Sequence, residues 1–145
     1  MISIEMSKER PWARVGNGPV VRVGDRSTIF DPATTAFLLR AGARCRANDP
    51  QFLAQRCLMD GGTCEATAFA ALGYRAGGLC LPLGNYHNIG RNLRPKAEFV
   101  NIDDLEQLLK LMVAAAAESW SYLASQENIR MRLISIARNA PRPLR

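Results

Sequence analysis

The sequence predicts an α/β fold in three layers, with a mostly parallel sheet flanked by helices. Short apolar runs alternate with amphipathic segments along the chain, which is the pattern of repeated strand–helix–strand units. Residues 75–83 form a nearly continuous apolar run, typical of a strand covered on both faces. A length of 145 residues with 48% hydrophobic content suits one domain with a substantial core.

Four strands and two early helices follow from local signals. The predicted strands are residues 1–6, 19–23, 52–59 and 75–83. Asp31 and Pro32 are a strong helix start, as N-cap and first helical residue, and this helix should run to about Ala43. Thr63 is a plausible N-cap for the next helix, which Gly73 closes.

The C-terminal third is predicted to be helical. Asn101 should cap a long helix. Its predicted buried face comprises Leu105, Leu108, Leu109, Met112, Val113, Ala116 and Trp120. A last helix from Glu127 to Arg138 should present Ile129, Leu133, Ile136 and Ala137 on one face. We therefore divide the chain into a main unit, residues 1–123, and an added C-terminal helix with a basic tail, residues 124–145.

Composition excludes several classes of protein. No run approaches the roughly 20 apolar residues of a membrane helix. Glu5, Lys8 and Glu9 occupy the positions where a signal peptide would be apolar, so we expect a soluble cytoplasmic protein. The four cysteines form no Cys-x-x-Cys pair, which disfavours zinc-ribbon and redox motifs and favours buried thiols.

The net charge of +6 admits two interpretations. A basic surface could bind nucleic acid. Alternatively, the arginines near the C-terminus form a solvated tail. No aromatic residues are interleaved with them, which favours the tail.

Three polar features follow predicted strands: Glu5, the turn Gly61-Gly62-Thr63, and His87. In parallel sheets, ligands bind at the carboxyl ends of the strands. We therefore expect these features to share one edge of the sheet and to form a site.

Each feature has more than one interpretation. His87, the only histidine, is a metal ligand, an acid/base group or a structural histidine. Glu5 is a surface acid unless it acts with His87 in metal binding. Gly61-Gly62-Thr63 either lets backbone N–H groups approach a substrate or is an ordinary turn. It is not a phosphate-binding loop, because no Gly-Lys-Ser/Thr follows.

The order of several motifs resembles the dinuclear zinc aminopeptidases of the glutamyl and tetrahedral aminopeptidase type, some of which carry the label endoglucanase. The resemblance covers roughly residues 2–113. Its motifs are Ile2–Glu5, Gly18–Arg26, Phe30–Pro32, Gly61–Thr63 and Pro82–His87, followed by the capped helix from Asn101.

The resemblance implies roles for these residues. Glu5 would bind one of two zinc or cobalt ions and His87 the other, while Gly61, Gly62 and Thr63 would line a cleft for a peptide substrate. The chain departs from the family at Cys64, where the family has Asp, and at residues 88–90, where it lacks Ser-Pro.

The family's His-x-Asp motif, bridging Asp and Glu-Glu general base have no counterpart in the chain. We therefore assign no catalytic residue. We expect the C-terminal part of a metal-dependent aminopeptidase that is not competent alone. The alternatives are a non-catalytic interaction or oligomerisation protein and, less favoured, a basic nucleic-acid-binding α/β domain. A homo-oligomer is expected, because a truncated sheet exposes an edge strand and an apolar face.

Overall fold

The computed structural model describes residues 1–90 and 92–139, and the side chains of residues 123–129 are outside the description. Its sheet has four strands in the order β1-β4-β2-β3. They are β1 Ile2–Lys8, β2 Val20–Gly24, β3 Gln55–Leu58 and β4 Gly77–Leu83. The pairs β1–β4 and β2–β3 are parallel, whereas β2 and β4 are antiparallel. The predicted α/β class, with a mostly parallel sheet flanked by helices, is confirmed.

Four helices surround the sheet: α1 Pro32–Asn48, α2 Glu65–Ala71, α3 Ile102–Ala117 and α4 Ser121–Asn139. The predicted caps Asp31 and Asn101 are confirmed, since the side chain of each accepts backbone N–H bonds from the first turn. The predicted cap Thr63 is wrong. Cys64 occupies the N-cap position, and the hydroxyl of Thr63 is instead 2.7 Å from that of Ser27.

Several boundaries differ from the prediction. Helix α1 continues to Asn48, and α4 begins at Ser121. Strand β3 is shorter than predicted, because Phe52 packs into the core from the connection that precedes the strand. In α4, Leu133 and Ile136 are exposed, so these members of the predicted apolar face are not buried. Ile129 and the tail beyond Asn139 lie outside the described side chains.

The main core lies between one face of the sheet and helices α1 and α3; we call this side the helix face. Strand β2 contributes Val21, and β4 contributes Leu79 and Leu81. The helices contribute Phe37, Leu38, Ala41, Leu108, Leu111 and Ala115. Burial of these side chains is the main apolar contribution to the stability of the fold.

The predicted buried face of α3 is partly wrong. Leu109, Val113 and Trp120 are 53%, 69% and 82% exposed. The helix is rotated because Asp104 points inward, where its carboxylate accepts 2.7 Å hydrogen bonds from the backbone N–H groups of Gly16 and Gly18. Asp104 satisfies two donors of the loop before β2, and a hydrophobicity pattern assigns such a residue to solvent.

The opposite side of the sheet, which we call the polar face, is packed differently. Buried Ser3, Arg22 and Cys80 lie on it beside Gly78. Helix α2 and the segment 59–64 cover part of this face, with Met59 in one small cluster and Cys64 and Ala66 in another.

No helix in the described residues combines the length and apolar character needed to cross a membrane.

Candidate functional site

The sequence predicted that the three polar features share one edge of the sheet, but the strand directions do not place them there. Because β2 is antiparallel to β4, the carboxyl ends of β1 and β4 lie at one edge, and those of β2 and β3 lie at the opposite edge. Glu5 lies within β1, in register with Cys80, and not at its carboxyl end. The sequence pattern could not reveal this, because strand direction depends on pairing between distant segments.

Glu5 and the glycine turn nevertheless meet. After β3, the chain returns across the polar face, so that Gly61 lies near the side chains of Lys8 and Arg10. A cavity of about 50 Å³ separates the turn from the sheet. Its lining includes Glu5, Ser7, Arg22, Gly61, Gly62, Thr63 and Tyr86. The structure thus brings two of the three predicted features to one cavity by a different route.

The glycine turn is held by contacts on both sides. The carbonyl of Gly62 accepts a 3.1 Å hydrogen bond from the backbone N–H of Arg26. Asp60 forms a 2.6 Å ion pair with Arg10. A Cβ added at Gly62 would meet no atom within 4 Å, so there is free space beside this residue of the turn. The backbone is therefore both fixed and accessible.

Buried Asp25 joins the end of β2 to the start of α2. One carboxylate oxygen accepts N–H bonds from Ser27 and Thr28 (2.8 and 2.9 Å). The other accepts from the Cys64 N–H (2.8 Å) and the Thr67 hydroxyl (2.5 Å). Burial by itself would raise the pKa of Asp25, but these four hydrogen bonds outweigh it and lower the pKa. Asp25 therefore stays ionised and fixes the turn.

Glu5 is held by an arginine that sequence reasoning did not assign to the site. Its carboxylate forms an ion pair with the guanidinium of Arg22 on β2. Arg22 also lies 5.4 Å from the centre of the Phe30 ring and donates a 3.5 Å hydrogen bond to the carbonyl of Met59. The sequence did contain a signal for this role, because Arg22 is a charged residue inside the apolar strand predicted at 19–23. A buried arginine requires a partner.

His87 lies apart, in the single turn Tyr86–Asn88 that follows β4. Its backbone has φ of +59°, and its N–H donates a 2.6 Å hydrogen bond to Glu98. The exposed imidazole stacks on Tyr86 with ring centres 4.0 Å apart. It lines an open groove of about 890 Å³ that also includes Lys8, Arg94, Lys96 and Phe99. Tyr86 borders both this groove and the cavity at Glu5.

The described residues do not by themselves fit a metal centre. Within residues 1–90 and 92–139, no three His, Cys, Asp or Glu side chains are grouped so that they could hold an ion. A catalytic zinc usually has three protein ligands. Glu5 already faces a guanidinium, and His87 lines a different groove.

No protein-family model and no curated protein matches the chain. Solved structures do match it. PhTET1-12s, a dodecamer in its asymmetric unit, is 25% identical with a TM-score of 0.60, and the match covers 79% of this chain and 32% of that one. The Pyrococcus horikoshii TET1 peptidase, which can assemble into a tetrahedron or a large octahedral shell, is 22% identical with a TM-score of 0.58, covering 78% and 32%.

Aminopeptidase APDkam598 from the archaeon Desulfurococcus kamchatkensis is 22% identical with a TM-score of 0.60, covering 79% and 32%. The chain therefore spans about a third of the length of the solved structures it matches. Over the matched part of this chain, its fold is that of part of a TET-type aminopeptidase.

Proposed function

We propose that the chain is the C-terminal part of a metal-dependent aminopeptidase-like domain and forms one wall of its peptide cleft. The agreement of its sheet and helices with TET-type aminopeptidases, over 79% of the chain, carries this proposal. Activity would be hydrolysis of N-terminal peptide bonds. We propose that the chain does not catalyse it alone, because the described residues contain no set of three metal ligands.

Gly61, Gly62 and Thr63 are the proposed substrate-binding residues. The open space beside Gly62 allows an extended peptide to approach the backbone. The bond from Arg26 to the Gly62 carbonyl and the contact of Thr63 with Ser27 keep the turn in place. A fixed turn loses little conformational freedom when a peptide binds.

His87 is the proposed metal ligand. Its exposed imidazole, at the wall of the large groove, can reach an ion held mainly by other polypeptide. Bound zinc or cobalt would supply an activated water. The other ligands and the general base would come from outside the described residues. The free cysteines, two of them buried, suit a reducing compartment, and we propose the cytoplasm.

Two measurements test the peptidase proposal. An NMR titration with a short unblocked peptide should shift the backbone amide signals of Gly61, Gly62 and Thr63, with the amides of α1 as the internal control. Fluorogenic aminoacyl substrates should not be turned over by the purified chain with added zinc or cobalt. Turnover would refute the claim that the chain is inactive alone. Unshifted amide signals of Gly61, Gly62 and Thr63 would refute the proposal that this turn forms a wall of the peptide cleft.

A second candidate function is self-association through β1. This strand lies at the edge of the sheet, and its side chains Ile2, Ile4 and Met6 are 37%, 47% and 55% exposed. Exposed apolar edge strands pair readily with other chains. We propose a homo-oligomer, which light scattering coupled to size exclusion should detect. Ile4→Lys should shift the protein to monomer, and the matched change Ile29→Lys, at an exposed loop residue, should not.

A further inference from the structure

We infer that Arg22 is the permanent counter-cation of Glu5, so that a guanidinium holds the carboxylate that the family resemblance assigns to a metal ion. The inference depends on the packing of the polar face and does not require the proposed peptidase activity. It makes the Glu5–Arg22 pair a structural link across the sheet and removes Glu5 from the set of available metal ligands.

The sheet is built to let the two side chains meet. Arg22 on β2 and Glu5 on β1 lie on either side of β4 and are offset by two residues along it, roughly 12 Å apart at the backbone. The residue of β4 in register with Arg22 is Gly78. A Cβ at Gly78 would lie 3.3 Å from Cδ of Arg22 and 2.9 Å from the Phe30 ring. The missing side chain at Gly78 therefore provides the path along which Arg22 crosses β4.

Because Arg22 is buried, it is unfavourable for Arg22 to lose Glu5 as its partner. The Arg22 side chain is 2% exposed, whereas that of Glu5 is 26% exposed. A buried guanidinium requires a partner for its charge. Within the described residues, Glu5 provides the ion pair of Arg22 through Nη1, and neither Nη1 nor Nε of Arg22 has a further hydrogen-bond partner. Loss of Glu5 would thus leave a buried cation without its anion.

A metal ion at Glu5 would face the same cation. Binding would require Arg22 to give up its carboxylate and remain buried beside a second positive charge, and both steps are unfavourable. The remaining contacts of Arg22, with the Met59 carbonyl and the Phe30 ring, carry no full negative charge. Glu5 is consequently a poorer metal ligand here than an unpaired carboxylate would be.

The test combines a double-mutant cycle with zinc titration. Arg22→Met and Glu5→Gln should each lower Tm by roughly 10 °C, because each breaks a buried pair. The double variant should lose no more than either single variant. Arg26→Met, the same change at an exposed arginine, should leave Tm nearly unchanged. Zinc should bind wild type and Glu5→Gln equally by calorimetry.

Two outcomes would overturn the inference. One is strictly additive losses of Tm, which would show that Glu5 and Arg22 are not coupled. The other is a rise in wild-type Tm with zinc that Glu5→Gln abolishes. If Arg22→Met does not fold, the zinc titrations of wild type and Glu5→Gln still decide the question. Neither readout depends on peptide binding at the glycine turn.

Discussion

The two faces of the sheet are stabilised in different ways. The helix face is a continuous apolar cluster in which β2, β4, α1 and α3 bury aliphatic and aromatic side chains. The polar face has smaller clusters, a buried ion pair and a carboxylate with four donors. Packing on the first face tolerates many apolar residues of suitable volume. On the second, each group depends on one named partner, and the candidate site lies there.

The largest effect should come from the helix face. Leu111→Ala removes a fully buried side chain from the core and should cost about 3 kcal/mol in the free energy of unfolding. Leu109→Ala is the matched control, since Leu109 lies on the same helix but is half exposed. Urea denaturation measures both. A larger loss for Leu109→Ala than for Leu111→Ala would mean that α3 has the rotation predicted from hydrophobicity.

On the polar face, Gly78→Ala tests the path of Arg22. The new methyl group would press on the Phe30 ring and on Arg22, and we expect a loss of about 2 kcal/mol. Gly62→Ala meets no atom within 4 Å, and its effect should be within about 0.5 kcal/mol. Chemical denaturation separates the two changes. A Gly78→Ala variant with an unchanged free energy of unfolding would contradict the close packing described for this face.

Asp25 provides a test by pH. Its pKa is lowered in the folded state, so its contribution to stability is present above the ordinary carboxyl pKa of about 4 and is lost as pH falls through the lower, folded-state value. Asp25→Asn should cost about 2 kcal/mol at pH 7, because an amide group cannot accept from all four donors.

The difference between wild type and Asp25→Asn should shrink as pH falls through the lowered folded-state pKa of Asp25. Urea denaturation at several pH values measures this difference. A constant deficit for Asp25→Asn across the pH range would show that ionisation of Asp25 is not what holds the turn.

The smallest effect should come from His87. The imidazole is exposed and stacks on Tyr86, so His87→Ala should change the free energy of unfolding by less than about 0.5 kcal/mol. Thermal denaturation followed by circular dichroism is sufficient. A loss well above 1 kcal/mol would favour the structural interpretation of this histidine over the metal-ligand one.

The sequence predicted features that depend on neighbouring residues. Strand β4 is an unbroken apolar run, and Asp31 and Asn101 cap their helices through side chains that reach the next turn. It did not predict features set by distant partners. Asp104 is buried because Gly16 and Gly18 donate to it, and Arg22 is buried because Glu5 lies two strands away. No periodicity encodes such pairings.

The position of β1 also has a kinetic consequence. Its partner, β4, comes in the second half of the chain, and the amino group of Met1 donates a 2.7 Å hydrogen bond to the carbonyl of Arg75, 74 positions away. During synthesis, β1 thus remains without this partner until β4 has been made. Closing so long a loop is entropically costly, and sequence-distant parallel pairing slows folding. Attachment of β1, which brings Glu5 to Arg22, should therefore be a late step in folding.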